Sequence, residues 1–193
     1  MDRQDEQLIS AYMQGEDTAL EILFQRYKSS ILNFALRILG NRADAEDVVS
    51  DVFVSVFSKK YEIRPGAKFK TWLYKVAYNA AISKIRKRKK MISLWFLKND
   101  AGQYEEWDVP DPGSLAPEEL IKQETAAAVR KTIHKLPRMQ KEAIVLREYH
   151  KLGYAEIADI MECSLENVKI LIYRAREALR NELPSFIKGD NDG

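Results

Sequence analysis

Between Arg64 and Lys90 the chain carries ten lysines and arginines and no aspartate or glutamate. Four aromatic rings, Phe69, Trp72, Tyr74 and Tyr78, are set among those charges. The chemistry this permits is non-covalent. Cations neutralise phosphates, and ring faces stack on bases. A charge run by itself is usually a solvated face, and ordinary helices also bury Trp and Tyr as core. The interleaving of both kinds in one segment points towards nucleic acid.

A second constellation lies near the other end. Tyr154 to Met161 reads as a short helix, Glu162 to Ser164 as a turn, and Leu165 to Leu183 as a longer helix. Val168, Ile172, Ala175 and Leu179 form its expected buried stripe. Ser164 is a good N-cap. The pattern is that of a helix-turn-helix, whose second helix enters the major groove, and the plainer alternative is a helical hairpin. A third set is acidic: Asp44, Asp47 and Asp51 share one face of a predicted helix, with Glu46 and Asp47 in its first turn.

The elements that position these sets are nearly all helical. Apolar residues recur every three or four positions at Leu8 to Met13, and from Leu20 through Leu23, Phe24, Tyr27, Ile31, Phe34 and Ile38. Gly15 and Gly40 punctuate those runs. The acidic helix has Val48, Val49, Val52, Phe53, Val56 and Phe57 as its apolar residues. Arg64-Pro65-Gly66 breaks the chain before a fourth helix at about 69–90. Residues 98–117 are polar, with Pro110, Pro112, Gly113 and Pro117 among them, and read as a linker. A helix at about 118–134 and another opened by Pro137 precede the helix-turn-helix. No strand alternation or internal repeat is visible.

At 193 residues, 46% hydrophobic and 31% charged, the chain is globular and holds one medium domain or two small ones. The net charge of +2 hides segregation, since Asp100 to Glu119 carries seven carboxylates and no Lys or Arg. The single cysteine, Cys163, excludes an internal disulfide and suits a reducing cytosol. The start, MDRQDEQLIS, is unlike a signal peptide. No stretch approaches the roughly 20 apolar residues that span a bilayer. MISLWFL at 91–97 is too short to span, and reads as a linker anchor or a contact surface. A cytoplasmic location without membrane insertion is expected.

The chain resembles the extracytoplasmic-function sigma factors, the smallest class of the bacterial sigma-70 family. The resemblance rests on ILGNRADAEDVVSDVF at 38–53, FKTWLYKVAYNAAISKIRKRKK at 69–90 and LPRMQKEAIVLREYHKLGYAEIADIMECSLENVKILIYRAREALR at 136–180. It implies an all-α protein of two small domains, a sigma-2-like bundle over 1–91 and a sigma-4-like helix-turn-helix domain over 118–193, joined by an acidic linker over 92–117. It implies a promoter-specificity subunit of RNA polymerase that assists strand opening. The implied partners are the polymerase core, through its clamp coiled coil and its flap, promoter DNA, and an anti-sigma factor. It implies no enzyme activity, no cofactor and no metal.

The same resemblance assigns roles. Asp44, Glu46, Asp47 and Asp51 would dock on the clamp. Lys59 to Lys68 would form a base-capture loop. Phe69, Lys70, Thr71 and Trp72 would separate strands at the minus-ten element. Asn79 would read an extruded base, since an amide both donates and accepts. Lys75, Lys84, Arg86, Lys87 and Arg88 would meet phosphates, while Tyr74 and Val76 pack. In the second domain Glu166, Asn167, Lys169, Ile170, Tyr173 and Arg174 would face the minus-thirty-five groove behind the Ser164 cap, with Arg176 on the backbone.

Some residues depart from the family pattern. Ser50 stands for a common Gln, Glu162 for a turn glycine, Glu166-Asn167 for Gly-Thr, and Ile170-Leu171 for Ser-Arg. Glu162 in a left-handed turn would be mildly strained, and Leu171 either loses a phosphate contact or lies against another helix. The promoter sequence is therefore not inherited. Two rivals are a stand-alone helix-turn-helix regulator and a nucleic-acid enzyme. Against the enzyme, His134 and His150 lie 16 apart, no metal-ligand spacing, and are expected on helix surfaces. Cys163 is expected to be a small buried residue.

Overall fold

The computed structural model describes residues 3–58, 68–96 and 127–182. All regular structure among them is helical: α1 (Asp5–Met13), α2 (Asp17–Leu39), α3 (Arg42–Ser58), α4 (Phe69–Phe96), α5 (127–135), α6 (Arg138–Glu148), α7 (Tyr154–Met161) and α8 (Leu165–Glu182). The chain divides into two compact units. One holds α1–α4, the other α5, α6, α8 and most of α7. The base-capture loop expected at 59–68 lies outside the described residues save for Lys68, and the acidic linker expected at 92–117 lies outside them save for 92–96, which continue α4 beyond its expected end near 90 instead of opening the linker.

In the first unit the three-four spacing becomes the core. From α2, Leu23, Tyr27, Ile31, Phe34 and Ile38 are buried; from α3, Ala45, Val48, Val52 and Val56; from α4, Phe69, Leu73, Tyr74, Ala77, Tyr78, Ala81 and Ile82. Rings lock the helices edge to face, Phe34 against Tyr74 at 5.6 Å and Tyr27 against Phe69 at 5.8 Å, a favoured geometry. Ser30 and Tyr74 hydroxyls share a hydrogen bond of 2.6 Å. Asp5 of α1 meets both Arg26 and the Tyr27 hydroxyl of α2. Gly40, at φ 72, ends α2 and donates to Leu36 O. Asn41 Oδ1 then accepts the Asp44 N–H at 2.9 Å and starts α3.

In the second unit α6 is buried along six consecutive residues, Lys141 to Leu146. It packs on α8, which buries Val168, Leu171, Ile172 and Ala175. Leu171 thus lies against the core, while Leu179, expected to be buried, is only half-buried. The α6–α7 connection is held locally. Arg147 donates to Leu152 O and lies over the Tyr154 ring, and the Glu156 carboxylate accepts the Gly153 N–H at 2.7 Å. The helix-turn-helix corner turns at Glu162, whose φ of 52 is left-handed, as expected.

Two expectations need correction. His150 is buried, not on a helix surface, because it follows α6 into the turn under the core. Cys163 is half-buried rather than buried, since the turn carries it partly out of the core.

Candidate nucleic-acid and polymerase interface

α4 has two faces. With its core stripe turned inward, the opposite side carries Lys68, Trp72, Lys75, Asn79, Ser83 and Arg86, spaced by three or four residues. Lys68, Asn79, Ser83, Arg86 and Lys87 are exposed. The Trp72 ring stacks on Phe69 at 6.1 Å with planes 25° apart. A cationic rail therefore carries one indole and one amide along its length. Thr71 flanks the rail and is half-buried, as is Lys70.

Two residues assigned to DNA lie elsewhere. Phe69 is fully buried, its ring held between Tyr27 and Trp72. It supports Trp72 from below and offers no face to a base. Lys84 falls about 160° round the helix from Arg86 at 3.6 residues per turn. Its ammonium lies 2.8 Å from Asp47 Oδ2 and 3.5 Å from Asp44 Oδ1. The Asp47 hydrogen bond raises the Lys84 pKa above its usual value. The cation is therefore spent on α3, not displayed to phosphate.

The acidic face of α3 is real but not bare. Asp47 and Asp51 are exposed, Asp44 is half-buried, and Glu46 pairs with Arg42 at 2.8 Å one turn back. One or two turns further on, the same side shows Val54 at 65% and Phe57 at 68% exposure. Phe57 is grouped by type with the apolar residues of this helix. Helix phase places it with Asp47 and Val54 instead, because the buried stripe runs 45, 48, 52, 56. Carboxylates followed by exposed apolar groups suit a partner surface that is both basic and greasy.

On α8 the Ser164 hydroxyl accepts the Asn167 N–H at 3.2 Å, capping the helix. Glu166, Lys169, Ile170, Tyr173 and Arg174 are exposed on the face opposite the core, with Ile170 at 48% and Tyr173 at 65%. Asn167 is half-buried at the flank. Arg176 is turned to α6, where its Nη2 and Nε lie 2.6 and 3.2 Å from Glu148 Oε1. That carboxylate raises the arginine pKa further.

His134 is half-buried at the end of α5, and its imidazole pKa is held below the usual value by burial and then by the Lys141 charge. No group of three or more potential metal ligands occurs among the described residues. No described helix is long and apolar enough to cross a membrane.

Residues 23–91 match the family model of sigma-70 region 2, and residues 126–179 match that of sigma-70 region 4. The chain is 32% identical over 184 residues to the ECF RNA polymerase sigma-E factor of Haemophilus influenzae, with 93% of this chain and 95% of the relative covered. It belongs to the extracytoplasmic-function sigma factors of the sigma-70 family. The RNA polymerase sigma-H factor of Pseudomonas aeruginosa is 29% identical over 186 residues, with 96% of each chain covered. Among solved structures, the sigma factor RpoE of Bartonella quintana, crystallised with the anti-sigma factor NepR, shares the fold at a TM-score of 0.68. That match has 24% identity and covers 86% of this chain and 96% of RpoE. CnrH, solved with the cytosolic domain of CnrY, matches at a TM-score of 0.67 and 22% identity, over 92% and 95% of the two chains. The sigma factor is thus all-helical, with a region 2 and a region 4 unit, and it acts with RNA polymerase on promoter DNA. Its family is not known for enzymatic activity.

Proposed function

We propose that this sigma factor divides promoter recognition between the two described faces, within domains bounded at 1–91 and 118–193 and tethered by 92–117. Asp47 and Asp51, with Asp44 and Glu46 beside them, dock on the clamp coiled coil of core polymerase. Lys68, Trp72, Lys75 and Asn79 receive the minus-ten strand, and Arg86 and Lys87 add phosphate contacts that give affinity without sequence information. Glu166, Lys169, Ile170, Tyr173 and Arg174 read the minus-thirty-five groove, while the second domain touches the polymerase flap. The observation that carries this reading is the division of α4 into a buried, largely apolar side and a rail of cations with an indole and an amide.

Magnitudes fix what the protein does alone. Stacking averages about 1.4 kcal/mol per step, so opening ten base pairs costs roughly 14 kcal/mol. One base on an aromatic ring returns about 1–3 kcal/mol. A single half-buried indole cannot cover the difference. The sigma factor captures bases in DNA that polymerase bends and holds, and has no catalytic role of its own. RpoE, a sigma factor of the same fold crystallised with the anti-sigma factor NepR, supports an inhibitor that covers these faces in the cytoplasm.

In vitro transcription with bacterial core polymerase on a genomic fragment library tests the reading. Discrete start sites that depend on this protein are expected. Unchanged start-site selectivity on adding it would refute the assignment. Gel shifts separate it from a free-standing regulator, which would bind duplex DNA tightly without core.

A further inference from the structure

Lys84 stands where two surfaces meet. It projects from α4, the helix of the cationic rail, but on the side away from that rail. Its ammonium sits between Asp44 and Asp47 of α3, at 3.5 and 2.8 Å. The side chain is 21% exposed, whereas Asp47 is 67% exposed. The cation is thus mostly covered, while the carboxylate it holds still faces outward. Arg86 and Lys87 are exposed and have no such carboxylate among the described residues. Lys84 is therefore not one more member of the phosphate-binding set.

We infer that Lys84 is a positioning residue for polymerase docking: by bridging Asp44 and Asp47 it fixes where the docking carboxylates of α3 stand relative to the cationic rail of α4. The inference rests on the proposed docking role of α3. An unheld Asp47 on a helix surface samples several rotamers, and ordering it costs free energy when a partner binds. A bridged Asp47 has met that cost during folding. Its second oxygen and the other face of the bonded one stay available to a partner cation, since a carboxylate has about four acceptor sites. The bridge also partly neutralises the face. Simple charge counting predicts that loss of Lys84 strengthens docking on a basic partner. Positioning predicts the opposite, and the two part cleanly.

The test uses the full chain with core polymerase. Lys84→Met and Lys84→Gln are compared with Lys84→Arg for core affinity, for the salt dependence of promoter-strand binding by the assembled holoenzyme, and for thermal melting. Positioning predicts core affinity about two- to fivefold weaker in Lys84→Met and Lys84→Gln, the range of a single partly exposed ion pair, with recovery in Lys84→Arg. It predicts a salt slope unchanged from the parent. In an Asp44→Asn/Asp47→Asn background, Lys84→Gln has no further effect. Unchanged or tighter core binding together with a slope lower by about 0.7–0.9 would make Lys84 a phosphate ligand and overturn the inference. A fall in melting temperature with loss of both activities in both variants would make it a stability residue and overturn it equally. Should Asp44→Asn/Asp47→Asn alone leave core affinity intact, the docking role of α3 itself falls, a result distinguishable from the other two.

Discussion

Arg176 of α8 holds Glu148 of α6 through two nitrogens on one oxygen, at 2.6 and 3.2 Å. α8 is thereby pinned to the helix that precedes the helix-turn-helix, and the angle of its exposed face is set by an ion pair as well as by the apolar seam. Both side chains are about half exposed, at 52% and 41%, so the stability involved is small. Glu148→Ala and Arg176→Ala are each expected to lower unfolding free energy by under about 1 kcal/mol, and the double variant by no more than the worse single one. A double-mutant cycle by urea denaturation checks this.

The Ser164 cap has a larger expected effect. Ser164→Ala removes the acceptor for the Asn167 N–H, at a cost of about 1 kcal/mol. Thermal melting should show the loss. Ser164→Asp should retain the parent stability, because a carboxylate at the same position accepts the same bond.

Two non-glycine residues sit in left-handed backbone, Lys151 at φ 55 and Glu162 at φ 52. Each costs about 1–2 kcal/mol there, which the greater unfolded freedom of glycine offsets in part. Lys151→Gly and Glu162→Gly are expected to raise stability by about 0.5–1 kcal/mol, seen as a higher urea midpoint at unchanged slope. A lower midpoint in both would show that the corner gains nothing from glycine.

Alkaline pH should unfold the first unit. Burial pushes the Tyr74 phenol from 10.0 up to about 12, and burial followed by the Asp5 hydrogen bond pushes Tyr27 the same way. The folded state holds these protons more tightly than the unfolded chain. Their contribution is complete below pH 10, the unfolded value, and is lost as pH rises towards 12. Each retained proton costs about 1.4 kcal/mol per pH unit in that window. The Asp47 hydrogen bond likewise holds the Lys84 ammonium above its ordinary pKa. Circular dichroism and tyrosinate absorbance should change together. Tyr74→Phe should flatten the pH dependence while losing about 0.5–1.5 kcal/mol at neutral pH from the Ser30 hydrogen bond.

Much of this was legible in the residues. The buried stripes of α2, α4 and α8 follow the three-four spacing because nothing in those segments competes with helix formation. Family likeness to whole motif blocks located both units. Ring and charge types alone, however, did not separate Phe69 from Trp72, or Lys84 from Arg86. In each pair the chemistry is similar and only the angle round the helix differs. Counting about 100° per residue from Lys68 would have placed Phe69 and Lys84 inward. Phe57 misled in the same way, because it was grouped by type with Val52 and Val56 when its phase belongs with Asp47 and Val54. His150 had no such signal: its burial depends on how the turn after α6 folds back.

α4 contains neither glycine nor proline from Phe69 to Phe96, and so has no built-in joint. Its 28 residues behave as a threaded rod of about 42 Å. One alanine inserted between Asn79 and Lys84 would advance everything beyond it by about 100°. The lysine would swing off its two carboxylates, and the terminal cations would aim away from the side that Asn79 and Trp72 still occupy. The register of this helix is therefore a gear-like quantity, tolerant of many changes of letter but of almost no change of number.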